Sequence, residues 1–424
     1  MVETADVQSL AGAMLQLVND SCLLQRLASE AVTRPFRTWC DYARDVVTLM
    51  ANERQLPNRQ KLPQMLSARE YKQEVINLPS QPLLSICIST YNRAAWLGLS
   101  LKNLERLIPF PIDEVEIVVC DNTSTDNTPE VVKPYMGRND FRYYRNLRNV
   151  GMLGNLQVTA HHARGRHVWI LGDDDLVKPG SIERILKVLH EQPDLALIYL
   201  NYAYTREDDA NAVTDLDRFL ANSIPVAAPC HDISGPVWRV STESENFFTA
   251  IYCLVFRRDH ALKAYSQNTE GRPFSTMLTC IPTTYHVLHH MMNEDAYWIG
   301  EPLLVVNLNV SWMKYASIWI LERLPEAFDI AEKMGADAAA LDGCRIKHLP
   351  HINHWFNEIL MKDDPEGNAA YFNPVRLFSR FKHLREFRSR ATELIETYRE
   401  AHSKHPTRFP WPSEDLSSIS HVAE

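Results

Sequence analysis

The sequence predicts an α/β protein: a single Rossmann-like, mostly parallel sheet flanked by helices, with a helical N-terminal arm and a helical C-terminal region. Three observations carry this reading. Short apolar runs alternate with helix-length segments from residue 83 to about 200, the rhythm of βαβ units. Polar clusters follow the apolar runs, where a parallel sheet holds its ligands. Toward both ends, apolar residues recur at helical spacing instead.

Residues 1–55 read as the helical arm, with Leu10, Met14, Leu17 and Val18, then Leu23, Leu24 and Leu27, then Trp39, Tyr42, Ala43, Val46 and Val47 in phase. Residues 56–82 carry four prolines among polar groups and read as a linker. The central domain is expected over 83–315. Its first half, 83–200, contains the strand candidates LLSICIS (83–89), VEIVVCD (115–121), FRYYRN (141–146), HVWIL (167–171) and LALIYLNY (195–202), with helices between them. Its second half, 201–315, opens on a polar stretch (205–245) that reads as a mobile loop. FFTAIYCLVFRRD (247–259) then reads as a strand, TTYHVLHHMM as a helix, and AYWIGEPLLVVNLNVSW as two short strands. Residues 316–424 read as mostly helical.

The 424 residues are 45% hydrophobic and 23% charged, ordinary for a soluble globular chain. A net charge of −9 argues against wholesale nucleic-acid binding. The eight cysteines show no C-x-x-C spacing, so neither a disulfide framework nor a zinc ribbon is expected, and a cytoplasmic location is the simpler one. No signal peptide and no spanning helix is read.

The most informative stretch is HVWILGDDDLVKPGSIERIL (167–186), in which a buried-strand run ends in Asp173, Asp174 and Asp175. Three adjacent carboxylates repel one another. A turn or helix cap explains them if they stand alone, since Pro179 and the apolar positions Ile182, Ile185 and Leu186 mark a helix start nearby. A shared divalent cation is the other explanation, because Mg²⁺ or Mn²⁺ takes one or two carboxylates together with substrate phosphates.

These blocks, LLSICISTYNRAAWLGLSLKNL, VEIVVCDNTSTDNTPEVV and RNVGMLGNLQVTAHHARGRHVWILGDDDLVKPGSIERIL, resemble family 2 glycosyltransferases, nucleotide-diphosphosugar transferases of the GT-A fold. The LGDDD…PG form is closest to the abequosyltransferase-like branch. The resemblance implies an inverting, metal-dependent transfer of a sugar from a nucleotide-diphosphate sugar to a hydroxyl of a glycan or lipid-linked glycan, in surface polysaccharide synthesis. By position, Thr90, Tyr91 and Arg93 lie against the nucleotide, and Asp121 accepts a hydrogen bond from the base. Asn149 and Gly151 shape the loop beneath it. Asp173 and Asp174 lie by ribose and diphosphate, and Asp175, with Asp173, holds Mn²⁺ or Mg²⁺ as a DXD-type metal site. The family often has D-A-D-D here, and Gly172 stands where its first Asp would be, so which aspartates meet metal and ribose stays open.

Inverting transfer also needs a base for the acceptor hydroxyl. The E-D signature of many relatives is missing, and the candidates are His286 and Asp295, with Glu294 beside the latter. His286 and His290 also stand at i, i+4, but without the Glu of H-E-x-x-H they do not make a zinc site. His348, His351 and His354 read as one helix face.

The N-terminal segment has a second resemblance, to the C-terminal helices that close two-Rossmann-domain glycosyltransferases, and it implies no chemistry. RLFSRFKHLREFRSR (376–390) interleaves Arg and Lys with Leu and Phe. It reads either as a helix packed on the domain or as a basic amphipathic helix at the inner face of the cell membrane. Two rival functions remain: a degenerate transferase acting as a scaffold, and a nucleotidyltransferase, which would want a Gly-rich basic loop where STYNRAAW stands. A dinucleotide oxidoreductase is excluded by the lack of G-x-G-x-x-G after the first strand.

Overall fold

The computed structural model describes residues 81–108, 113–244, 247–308 and 311–412. The chain falls into two units, Met1–Leu78 and Pro79–Glu424, and every described residue belongs to the second. The expected arm (1–55), nearly all of the linker (56–82) and the N-terminal resemblance lie outside the described residues.

Four strands open the sheet: β1 (Leu84–Thr90), β2 (Val115–Asp121), β3 (Phe141–Arg145) and β4 (His167–Gly172), in spatial order β3-β2-β1-β4 and all parallel. β1, β2 and β4 are buried almost throughout, as a parallel sheet covered on both faces requires, and their Val, Ile and Leu runs follow from that. The connecting helices are α1 (Ala94–Leu107), α2 (Thr128–Val132) and α3 (Gly151–His162). α1 buries Trp96, Leu97, Leu101 and Leu104, the i, i+4 stripe of a helix laid on a sheet.

Register puts the chemistry at one edge. Thr90 is opposite Asp121 on one side of β1, and Ser89 is opposite Gly172 on the other. The carboxyl ends of β1, β2 and β4 are therefore level, with the aspartate triplet beginning one residue past β4.

The second half departs from the simple parallel pattern. After β5 (Leu176–Val177), α4 (Ser181–Glu191) and β6 (Leu197–Thr205) come α5 (Leu216–Ala221), β7 (Ile224–Pro225), β8 (Ile233–Pro236) and α6 (Val237–Glu243). The stretch expected as a loop (205–245) thus holds these four short elements and a 3-10 turn at Ala210–Ala212. β9 (Leu254–Arg257) inserts antiparallel between β4 and β6. Only these four residues of the longer run expected over 247–259 are strand, because Phe247 and Phe248 turn the chain with φ of 45° and 56°. Next come α7 (Arg258–Tyr265), α8 (Met277–Cys280), α9 (Pro282–His290) and β10 (Asp295–Asn307), which is parallel to β6. β10 is one strand rather than two. Its register shifts between Ile299 and Leu304, around Pro302, whose missing N–H cannot join the ladder.

The remaining described residues are helical: α10 (Leu324–Lys333), α11 (Ala338–Met361), α12 (Pro374–Phe381) and α13 (Arg385–Lys404). Phe328, Ala331 and Leu341 join the core around the sheet, while Ile352, Phe356, Leu377, Phe378, Phe381, Leu384 and Phe387 form a second one. This corrects the membrane-helix reading of 376–390. The segment is broken between α12 and α13, and its Leu and Phe side chains are buried in that second core. Arg376 and Arg380 pair with the buried Glu322 at 2.7 and 3.2 Å. A helix whose apolar face is buried in its own domain has none to lay on lipid. His348, likewise, is buried with Nε2 2.8 Å from the Ile320 carbonyl, so this histidine is part of the packing. Among the described residues no helix is long and apolar enough to cross a membrane.

Candidate active site

The triplet is wired to the first strand. Thr90 Oγ1 donates to Asp173 Oδ2 at 2.7 Å. Arg93 Nη1 lies 3.0 Å from Asp173 Oδ1 and 2.9 Å from Asp174 Oδ2, so one guanidinium bridges two carboxylates. Asp173 is 4% exposed. Burial, then the charge of Asp174, push its carboxyl up to about 6 despite Arg93 and Thr90. Asp175 is turned inward and 1% exposed. Its oxygens accept from the backbone N–H groups of Gly172 (3.1 Å) and Asn307 (3.3 Å), and burial, then Asp174, raise its pKa well above the carboxylate range. Two carboxylates share the one guanidinium, and the third, Asp175, faces backbone N–H groups instead.

Asp121, at the end of β2, is fully buried. Ser124 N–H donates to it at 2.7 Å and the Tyr143 hydroxyl at 2.8 Å, and Arg145 Nε stands 3.4 Å away. Burial, then that hydrogen bond to Asp121, raise the pKa of Tyr143. The group expected to read the base therefore already holds Tyr143, and through it the end of β3.

The loop beneath this edge is an asparagine network. Asn122 Nδ2 donates to Asn149 Oδ1 (2.8 Å), which also accepts from Gly151 N–H (2.8 Å). Asn146 Nδ2 donates to Asn122 and to Asn155, and Asn155 Nδ2 reaches Ser89 Oγ (2.6 Å) and the Cys120 carbonyl (3.0 Å). Gly151 has φ +78°, so a side chain there would strain the turn that starts α3. Tyr91 is 44% exposed at the mouth.

The structure thus brings Thr90, Tyr91, Arg93, Asp121, Asn149, Gly151, Asp173, Asp174 and Asp175 to one sheet edge. It does not bring the two base candidates there. β9 runs antiparallel to β4, with Arg257 opposite His167, so α7 starts where β4 begins. His286 Nε2 lies 3.3 Å from Nδ1 of His260 in α7. His286 is therefore near the start of β4, about 20 Å of strand from the triplet, and burial pushes it down to about 4. Asp295 opens the 13-residue β10, whose last residue, Asn307, meets Asp175. Through its register shifts β10 keeps pace with only the nine residues of β6, which puts Asp295 about 30 Å away, at the opposite edge of the sheet. Neither side chain reaches the aspartates.

Two residues not singled out in the sequence do lie there. Asn307 follows from the rule that polar groups at strand ends make sites. Tyr252 gave no signal; its carbonyl accepts from Trp169 Nε1 at 2.8 Å. Burial, then the charges of Asp175, Asp173 and Asp174, raise its hydroxyl's pKa. Among the described residues no group of three or more His, Cys, Asp or Glu side chains is arranged to hold a metal.

A parallel sheet edge that carries a carboxylate triplet and a bridging arginine fits the GT-A glycosyltransferase fold. Residues 85–236 match the model of glycosyl transferase family 2, and the chain carries a domain of that family. A 117-residue stretch is 34% identical to abequosyltransferase RfbV of Salmonella typhimurium, covering 27% of this chain and 35% of that protein. A 118-residue stretch is 28% identical to a chondroitin synthase of Pasteurella multocida, covering 28% of this chain and 12% of that one. The chain thus spans about a third or less of these relatives. In fold it is similar to S. aureus TarS 1–349 in complex with UDP-GlcNAc, with a TM-score of 0.50, 16% identity, and coverage of 76% of this chain and 91% of that one.

Proposed function

We propose that the chain transfers a sugar, with inversion, from a nucleotide-diphosphate sugar to a hydroxyl of a glycan or lipid-linked glycan in surface polysaccharide synthesis. The observation that carries this is the Thr90–Asp173–Arg93–Asp174 constellation at the level ends of β1 and β4. The chain's similarity to an abequosyltransferase and to a chondroitin synthase supports the class of acceptor.

The nucleotide lies over Tyr91 and the Asn149–Gly151 turn, with Asp121 and Tyr143 at the base. Arg93 is the donor group for the diphosphate, whose oxygens match a guanidinium. A divalent cation fits the site in charge. Asp173 and Asp174 would hold it in place of the expected Asp175–Asp173 pair, because Asp175 accepts from the Gly172 and Asn307 N–H groups and positions the loop. When bound, the cation neutralises the leaving diphosphate. Thr90 fixes the rotamer of Asp173, and burial beneath β4 excludes water from that carboxylate. No base is assigned.

The test is transfer itself. Purified chain is incubated with a panel of nucleotide sugars, Mn²⁺ and bacterial glycan acceptors, and released nucleoside diphosphate is measured. Release that depends on acceptor and disappears in Arg93→Ala supports the reading. No release from any donor favours the scaffold alternative.

A further inference from the structure

Beyond the carboxyl end of β10 lies a group of aromatic rings that the site described above does not use. Phe274 stacks on Tyr315 (centroids 4.9 Å apart, planes 19°) and on Trp312 (6.2 Å, 23°). The Arg272 guanidinium lies 4.4 Å over the ring of Tyr371. Lys314 Nζ sits 5.2 Å from the Tyr315 ring and 3.2 Å from Glu366 Oε1. The cluster is pinned from below by Asn368, which is 6% exposed. Asn368 Nδ2 donates to the Lys314 carbonyl at 2.8 Å, and its Oδ1 accepts from Arg272 at 3.5 Å. Phe274 holds φ +63°, a conformation bulky side chains rarely take. Phe274 and Tyr371 pack on the second core, whereas Trp312 (37% exposed) and Met313 (47%) face outward.

Position connects this platform to the aspartates. Asn307 N–H bonds Asp175, and Trp312 follows five positions later. A fully extended chain of that length reaches at most about 17 Å. A glycan of a few sugars is long enough to reach from the aspartates to the platform.

We propose that Trp312, supported by Phe274 and Tyr315, stacks a sugar ring of the acceptor glycan some units back from the reacting hydroxyl. This rests on the transferase reading. A pyranose is amphipathic, with a C–H face for an aromatic ring and hydroxyls around its rim. The rim here supplies donors (Arg272, Lys314) and an acceptor (Glu366). A lipid surface would want the ring of side chains free of paired charge.

The test uses the full chain as wild type, Trp312→Ala and Trp312→Phe on a printed array of bacterial surface glycans, with donor binding followed separately by calorimetry. Glycan binding should fall about five- to tenfold in Trp312→Ala and be largely kept in Trp312→Phe, with unchanged donor heats showing that the fold is intact. Binding that is indifferent to Trp312, or a wild type that retains no glycan, overturns the stacking subsite. Absence of donor heat in the wild type instead removes the transferase reading on which it rests.

Discussion

Thr90, the last residue of β1, donates a 2.7 Å hydrogen bond to Asp173, which stands 83 residues later, just past the end of β4. The bond ties the two strands that frame the cleft and orients the carboxylate that also meets Arg93. Thr90→Val removes the donor while keeping the shape. A hydrogen bond to a charged group is worth about 1.5–3 kcal/mol. Stability should fall by about that amount, read as a lower urea midpoint, and donor affinity, read as Kd by calorimetry, should fall with it because the carboxylate that meets Arg93 loses its orientation.

Asp295→Asn should leave turnover within about twofold of wild type, because a surface change far from the chemistry moves little. His286→Gln should do the same. Steady-state kinetics decides both, and a hundredfold loss in either would return that residue to the chemistry.

Glu116, the second residue of β2, is 1% exposed and holds Ser85 Oγ (2.5 Å), Arg142 Nη2 (2.6 Å) and Arg164 N–H (2.6 Å). Burial opposes its charge, but these partners outweigh it and its pKa is lowered. Glu116→Ala leaves Arg142 and Arg164 without their shared carboxylate and should cost about 3 kcal/mol. Urea unfolding measures this, and a cost below about 1 kcal/mol would show that the network adds little.

Burial pushes His286 and His348 down to about 4, whereas in the unfolded chain they titrate near the ordinary 6.5. Between those values the unfolded chain binds protons that the native one does not. The two histidines therefore lower stability as pH falls from about 6.5 toward 4, and add no slope above that window. His348→Gln should flatten the fall in urea midpoint between pH 7 and pH 5; an unchanged slope would mean that His348 is not held neutral.

The first half of the fold was legible because each strand is a continuous apolar run ending in polar residues. LLSICIS, VEIVVCD and HVWIL could not be buried on both faces any other way. The donor edge followed from it, since the ends of consecutive parallel strands are level. The second half was harder to read. β9 is four residues inside a longer apolar run, and its antiparallel direction reverses the end of the sheet at which α7 and His286 arrive. Nothing local in TTYHVLHH or NEDAYW tells which end of a strand they occupy, so His286 and Asp295 looked available. The basic segment 376–390 left two readings open for a related reason: its amphipathic pattern is the same whether the apolar face meets lipid or a second core.

The most direct test is calorimetric titration of UDP-, GDP-, CDP- and dTDP-sugars with Mn²⁺ into wild type and Asp173→Asn. The site described here predicts that one nucleotide class binds to wild type in a metal-dependent way and that binding is lost or weakened at least about tenfold in the variant. Equal binding by both proteins, or no binding to either, would contradict a donor site at the ends of β1 and β4.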